Sequence, residues 1–340
     1  MKKMKEAVLY SRDRSGNVSC RLCSHFCFIP EGETGFCRVR LNQNGTLFSL
    51  NYGELAARNI DPVEKKPLFH FYPGSLSYSI ASLGCNFRCA FCQNWEISQK
   101  QESDRLFLKT ESVSPEDVVS QAQKYNCRTI ACTYTEPTVY FEFAEECAQL
   151  AEAQGISTVF VTNGYMSREA LDRIGPVLDA ANIDLKSFRD SFYRETCKAS
   201  LKPVLETIQE MKKRNIWVEI TTLIVPGSND SVEELSDIAG FISSLDKNIP
   251  WHVSRFYPQY KMDDLPPTPA ETLETAFNIG KEKGLNYIYL GNLRTETGEN
   301  TYCPVCGRLL IERCAFSLLQ NNLVQGKCPF CRAAIPGRFL

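Results

Sequence analysis

No stretch of this chain approaches the roughly 18 consecutive apolar residues that a membrane helix needs. The lysines of the opening MKKMKEAVLY are followed by no apolar core of the kind a secretory leader carries, so they do not read as a signal peptide. Net charge is -2, which leaves no broad basic surface for nucleic acid. These absences predict a cytoplasmic protein with neither a membrane nor a nucleic acid as partner. Disulfides are then out of place, because cytosolic thiols are kept reduced. Yet the 340 residues include 16 cysteines.

The cysteines are not scattered. Four lie at Cys20, Cys23, Cys27 and Cys37, three at Cys85, Cys89 and Cys92, and four at Cys303, Cys306, Cys328 and Cys331. Three compact clusters point to metal. The remaining five (Cys127, Cys132, Cys147, Cys197 and Cys314) stand singly in apolar or mixed contexts and read as small buried hydrophobes.

Around these clusters the chain divides into three. Residues 1–75 form a cysteine-rich N-terminal extension, with a hairpin at Asn44-Gly45, and a proline-bearing connector. From 76 to 299, strand-like runs such as SYSIAS, RTIACTY and STVFVTNG alternate with helical ones such as SPEDVVSQAQKY. Ser114 and Pro115 supply a helix start there. Such alternation predicts an α/β fold of βαβ units with a parallel sheet. Six or seven units predict a complete or partial β/α barrel, with a flat doubly wound sheet as the runner-up. In either case ligands belong at the C-terminal ends of the strands. Residues 300–340 read as a separate small module.

GCNFRCAFC follows the first of these strands and carries a C-x3-C-x2-C spacing. A structural zinc site wants four ligands. Three thiolates at the catalytic end suit a [4Fe–4S] cluster held at three irons, with the fourth iron open. S-adenosylmethionine (SAM) uses that geometry: an electron from the cluster breaks a C–S bond of the sulfonium and yields a 5′-deoxyadenosyl radical. With Phe91 before its last cysteine, the motif resembles the signature of the radical SAM superfamily.

The resemblance implies a partial (β/α)6-type radical SAM barrel and a set of cofactor contacts. Glu136 in TYTEP stands where the superfamily usually has Gly-Gly-Glu and would receive the methionine ammonium. Both glycines are missing here. Asn163 and Gly164 would approach ribose or methionine. Asp184 and Lys186 resemble a pair in glycyl-radical-enzyme activases, where the lysine meets the SAM carboxylate. His252 matches in position a histidine near SAM, and Val225-Pro226-Gly227 would lie by the adenine.

The outer clusters read from their spacing. CPVC and CPFC are two C-x2-C knuckles about twenty residues apart, which predicts a zinc-ribbon-like module at Cys303, Cys306, Cys328 and Cys331, with an auxiliary iron–sulfur cluster as the alternative. The head, CRLCSHFC with Cys37, admits zinc or a second [4Fe–4S] cluster, and His25 could replace one ligand; zinc is the preferred reading.

CRLCSHFCFIPEGETGFCRVR, DPVEKKPLFHF, GCNFRCAFCQNWEISQ, TYTEPTVYFE and TYCPVCGRLL together resemble the radical SAM protein of the AmmeMemoRadiSam three-gene system. Pyruvate formate-lyase activating enzymes are its better-understood relatives. The resemblance implies an oxidoreductase that cleaves SAM at a [4Fe–4S] cluster and abstracts hydrogen. It also implies a reduced flavodoxin or ferredoxin-type electron donor and a protein substrate, a glycine in the first instance. Radical modification of a small molecule or peptide, or a non-catalytic metal-binding adaptor, are the alternatives. An adaptor would have four-ligand sites only, which the three-cysteine loop speaks against.

Overall fold

The computed structural model describes residues 4–99, 109–293 and 298–339. Seven strands run parallel in the central sheet: β2 (Leu76–Ser82), β3 (Thr129–Cys132), β4 (Ser157–Thr162), β5 (Ala180–Asp184), β6 (Trp217–Ile224), β7 (Trp251–Arg255) and β8 (Ile288–Gly291). They follow β1 (Glu54–Pro62), which pairs antiparallel with β2, while a short strand at Glu111–Ser112 pairs with the outer edge of β1. Spatial order follows chain order from β1 to β8. A doubly wound sheet reverses its strand order at a switch point; this one does not, so the flat alternative is excluded. Among the described residues β8 and Glu111–Ser112 remain the two ends of the sheet, and the barrel stays open.

A helix separates each parallel strand from the next. These are α1 (Pro115–Lys124), α2 (Phe141–Glu152), α3 (Arg168–Ile174), α4 (Leu201–Lys213), α5 (Val232–Leu245) and α6 (Ala270–Glu282). Local chemistry sets their starts. Ser114 Oγ accepts from Asp117 N and the Asp117 carboxylate accepts from Ser114 N, a reciprocal capping box ahead of Pro115. Ser167 and Ser231 cap α3 and α5 by the one-way bond alone, their hydroxyls accepting from Ala170 N and Glu234 N.

Residues 51–75 do more than the connector expected of them. Their first half is β1. Their second half, 67–71, closes the N-terminal end of the barrel. Asn182 donates to Pro67 O at 2.8 Å. The backbone N–H groups of Phe69 and His70 donate to the two oxygens of Glu219, at 3.0 and 2.8 Å. Glu219 is fully buried and also accepts from Trp217 Nε1 and bonds His252 Nε2. Burial raises its pKa, but these donors outweigh it and the carboxyl is held below its usual range.

The C-terminal module packs under this floor rather than standing apart. It is a three-stranded antiparallel sheet of Thr301–Tyr302, Leu309–Cys314 and Ser317–Asn321. Leu310, Ile311 and Ile335 form a common core with Phe69, Tyr287 and Tyr289. A directed chain of hydrogen bonds crosses the junction. Arg313 Nη1 donates to Thr301 Oγ1 at 2.9 Å, and Thr301 lies 2.8 Å from Tyr289 Oη. Tyr289 Oη in turn lies 2.6 Å from His70 Nε2, and His70 Nδ1 2.8 Å from Pro336 O. A carbonyl can only accept, so Nδ1 carries the proton and Nε2 accepts from Tyr289.

That assignment needs a neutral His70. Burial, with Arg313 and His252 acting in the same direction against Glu219 and the Pro336 carbonyl, pushes its pKa down to about 4 from 6.5. Between those values the unfolded chain binds a proton that the folded chain does not. Stability is therefore intact above pH 6.5 and falls as pH drops toward 4, by up to roughly 3 kcal/mol from this group. Chemical denaturation at pH 7.5 and 5 should show a larger loss for wild type than for His70→Asn. Equal losses would mean that another group sets the slope.

Candidate active site at the strand ends

The loop after β2 carries the three cysteines. Gly84 enters it at φ +101, where a Cβ would come within 2.8 Å of Val39 Cγ1, so glycine is required both by conformation and by the close approach of the head. Arg88 then folds back, its Nη1 donating to Cys85 O and Phe87 O at 2.8 Å each. Arg88 N and Ala90 N donate to Cys197 O and Thr196 O. The loop is thus pinned along its backbone while Cys85, Cys89 and Cys92 face one cavity of about 410 Å³. That volume is in the range of cofactor sites.

The donor set fits an iron–sulfur cluster. Among the described residues, only the C-terminal quartet gathers three or more potential ligand atoms within 4.8 Å of one another. The sulfurs of Cys85, Cys89 and Cys92 do not form so tight a group. Burial pushes the Cys85 and Cys92 thiols up; for Cys89 the hydrogen bond with Cys197 is the largest cause and burial the next. Thiols in such surroundings ionise when a metal takes the proton's place. Phe87 N already donates to Cys85 Sγ at 3.3 Å and Ser98 Oγ lies 3.1 Å from Cys92 Sγ. Cys197 touches Cys89 but does not line the cavity, so no fourth cysteine there faces the open side.

Strand ends supply the opposite wall. Glu136 is buried just beyond β3. Its Oε1 accepts from Thr138 N, Thr138 Oγ1 and Thr162 Oγ1, and its Oε2 from Asn163 N at 2.8 Å. Oε2 keeps acceptor capacity. Burial pushes this carboxyl up, against the pull of its donors. Asn163 holds the wall to the cluster loop: Nδ2 donates to Asn86 Oδ1 at 2.8 Å and sits 3.9 Å from Cys85 Sγ. At the end of β5, Lys186 Nζ donates to Asp184 at 2.8 Å. Burial works against the lysine charge, but Asp184 and the nearby Cys89 and Cys197 outweigh it and raise its pKa well above the ordinary value.

Three expected contacts fall elsewhere. Gly164 does not line the cavity. Its φ of +70 and the 2.9 Å left between a Cβ and Ile183 Cγ2 give it a packing role against β5. His252 points into the barrel one layer too deep, bonded to Glu219 at 2.7 Å and edge-on to Phe69. Two residues on in β7, with the same parity, it is Ser254 that reaches the cavity. Val225-Pro226-Gly227 also lie outside the lining, which takes Thr221 and Leu223 from β6 instead. Parity along the strands was the signal for Thr221 and Ser254. Asn94 and Asn292, which also line the cavity, follow strand or loop ends and had no comparable signal.

The two outer quartets differ. Cys303 and Cys331 sulfurs are 3.6 Å apart, and those of Cys306 and Cys328 are 3.7 Å apart. Zn–S bonds of 2.3 Å at tetrahedral angles give an edge of about 3.8 Å. The quartet lies among residues that pack on the barrel floor, at the opposite end of the strands from the cavity.

A family profile described as the Radical SAM superfamily matches residues 79–242, which run from β2 into α5. An uncharacterised protein of Methanocaldococcus jannaschii is 47% identical over 331 residues, covering 96% of this chain and 98% of that protein. The pyruvate formate-lyase 1-activating enzyme of Escherichia coli strain K12 is 24% identical over 228 residues, covering 61% of this chain and 89% of that enzyme. Among solved structures, Streptococcus suis SuiB bound to S-adenosylmethionine matches with a TM-score of 0.51 at 13% identity, covering 68% of this chain and 53% of that one, a likeness of fold alone. By this profile and the strand-end placement of its three-cysteine loop, the chain belongs to the radical SAM superfamily.

Proposed function

We propose that this protein binds a [4Fe–4S] cluster through Cys85, Cys89 and Cys92, cleaves SAM reductively beside it, and abstracts a hydrogen atom from a separate substrate. The observation that carries the reading is the single cavity lined by these cysteines on one side and by Glu136, Asn163, Asp184 and Lys186 on the other. The cluster, when bound, supplies an open iron and the electron that breaks the SAM C–S bond. The protein's part is to bind and orient. Glu136 offers Oε2 to the methionine ammonium. Lys186, its charge sustained by Asp184, offers a charge-assisted bond to the methionine carboxylate. Asn163 fixes the spacing between that wall and the cluster loop.

A protein glycine is the substrate class proposed first, by analogy with the pyruvate formate-lyase activating enzyme, and a reduced flavodoxin or ferredoxin-type protein is the proposed donor. The C-terminal quartet is proposed to hold zinc, because its sulfur spacing supports a mononuclear tetrahedral site. Its two knuckles are built alike, with Gly307 N donating to Cys303 O and Arg332 N to Cys328 O, both at 2.9 Å.

Reconstituted anaerobically and given a strong reductant, the protein should convert SAM to 5′-deoxyadenosine and methionine, and Cys92→Ala should give none. Wild type without product, or product unchanged in the variant, removes the reading. Lys186→Met should weaken SAM binding by about 10- to 100-fold, the worth of one charge-assisted bond, with the cluster's absorption intact. Equal affinities in equilibrium dialysis would take Lys186 out of the site.

A further inference from the structure

We propose that the four cysteines of the head, Cys20, Cys23, Cys27 and Cys37, hold a [4Fe–4S] cluster of their own rather than a zinc ion. This inference does not rest on the SAM reading. All four line one small cavity between the head and the start of the segment Pro137–Tyr140. Two quartets in one chain can therefore be compared directly. At the C terminus the sulfurs already stand at a zinc spacing. In the head no three of the sulfurs lie within 4.8 Å of one another, although all four side chains face the same space. That space admits a water-sized molecule. Four sulfurs closed at about 2.3 Å on a zinc ion leave no such room. A cubane cluster needs more room still and spreads its four thiolates to about 6 Å, so side chains that stand apart around this space suit it better than they suit zinc.

A second, independent observation points to an anionic occupant. Arg40 lines the same cavity and is 1% exposed. Its Nη1 and Nη2 are taken by Glu142 at 2.9 and 2.7 Å, but its Nε has no partner. A buried guanidinium N–H left unpaired costs about 1–3 kcal/mol or more. A sulfur of a four-thiolate cluster, with its net negative charge, would accept that bond. Phe36 N donates to Cys27 Sγ at 3.4 Å, a second N–H bond of the kind that tunes such clusters. His25, the possible substitute ligand, is turned away: its Nε2 bonds Asn86 O at 2.6 Å, and it does not line the cavity.

The test removes the other iron site. The triple variant Cys85→Ala, Cys89→Ala, Cys92→Ala is prepared anaerobically with iron and sulfide, and its metals and acid-labile sulfide are counted. About four iron and four sulfide per chain are expected, with a Mössbauer doublet of a diamagnetic four-iron cluster. Adding Cys20→Ala and Cys23→Ala should abolish that iron. Should the triple variant misfold, wild type decides: about eight iron per chain supports the proposal, and about four overturns it. Zinc in place of iron at the head, or four free thiols there, also overturns it. Cys303→Ala serves as the control, lowering zinc and leaving iron unchanged.

Discussion

A buried carboxylate with four partners organises the lower half of this protein. Glu219 has no water to solvate it, so its charge must be met from within. It is met by two backbone N–H groups of residues 69 and 70, by the Trp217 indole and by His252. The first two come from a segment about 150 positions earlier in the chain. That segment cannot leave without taking two of the four donors from a buried charge, at a cost of about 1–3 kcal/mol for each bond to a charged group. With the floor sealed in this way, the cavity that the three cysteines line opens at the C-terminal strand ends.

The same device recurs wherever an accessory segment meets the barrel. Arg40 ties the head to α2 through Glu142, both fully buried. Arg313 ties the C-terminal module to Glu64 at 3.5 Å and to Phe69 O at 2.7 Å. Each accessory segment brings one quartet of cysteines, and the two are fixed to different ends. The C-terminal quartet lies under the floor, with the length of the sheet between it and the cavity. The head instead lies against the cluster loop: Cys37 O would stand 3.2 Å from a Cβ on Gly84, the residue before Cys85. These positions put one quartet under the floor and the other beside the three-cysteine loop of the cavity.

Much of this was legible in the sequence because it is local. The three cysteine spacings, the serine caps and the alternation of strand and helix each depend on residues within about one turn or one strand. The barrel's openness and strand order were bounded but not settled by them. What was not legible depends on distant pairs. Nothing near Pro67–Phe71 announces that Glu219, or Arg313 some 244 positions on, will bind it. His252 illustrates the limit within a strand. Its parity was right, but its depth is fixed by where the floor segment ends and by which buried acid needs a donor. The head's metal preference was open for the same reason: spacing along the chain lists ligands, whereas the distance between sulfurs is set by how the hairpins pack.

Tyr134 shows how the loop that carries Glu136 holds a left-handed backbone position without a glycine. It adopts φ +63, in the left-handed region that favours glycine. A tyrosine there costs about 1–2 kcal/mol in backbone strain. Its hydroxyl offsets this by donating to Asp61, whose carboxylate also receives Lys65 Nζ and Lys66 Nζ at 2.9 and 2.6 Å. Burial alone would push the Asp61 carboxyl up; the three donors outweigh it and hold it well below its usual range. Lys66 Nζ also lies 4.5 Å from the centre of the tyrosine ring. The loop that presents Glu136 is thereby anchored to β1 and the turn after it, the segment whose continuation seals the floor. Substituting glycine for tyrosine would relieve the dihedral yet release that anchor.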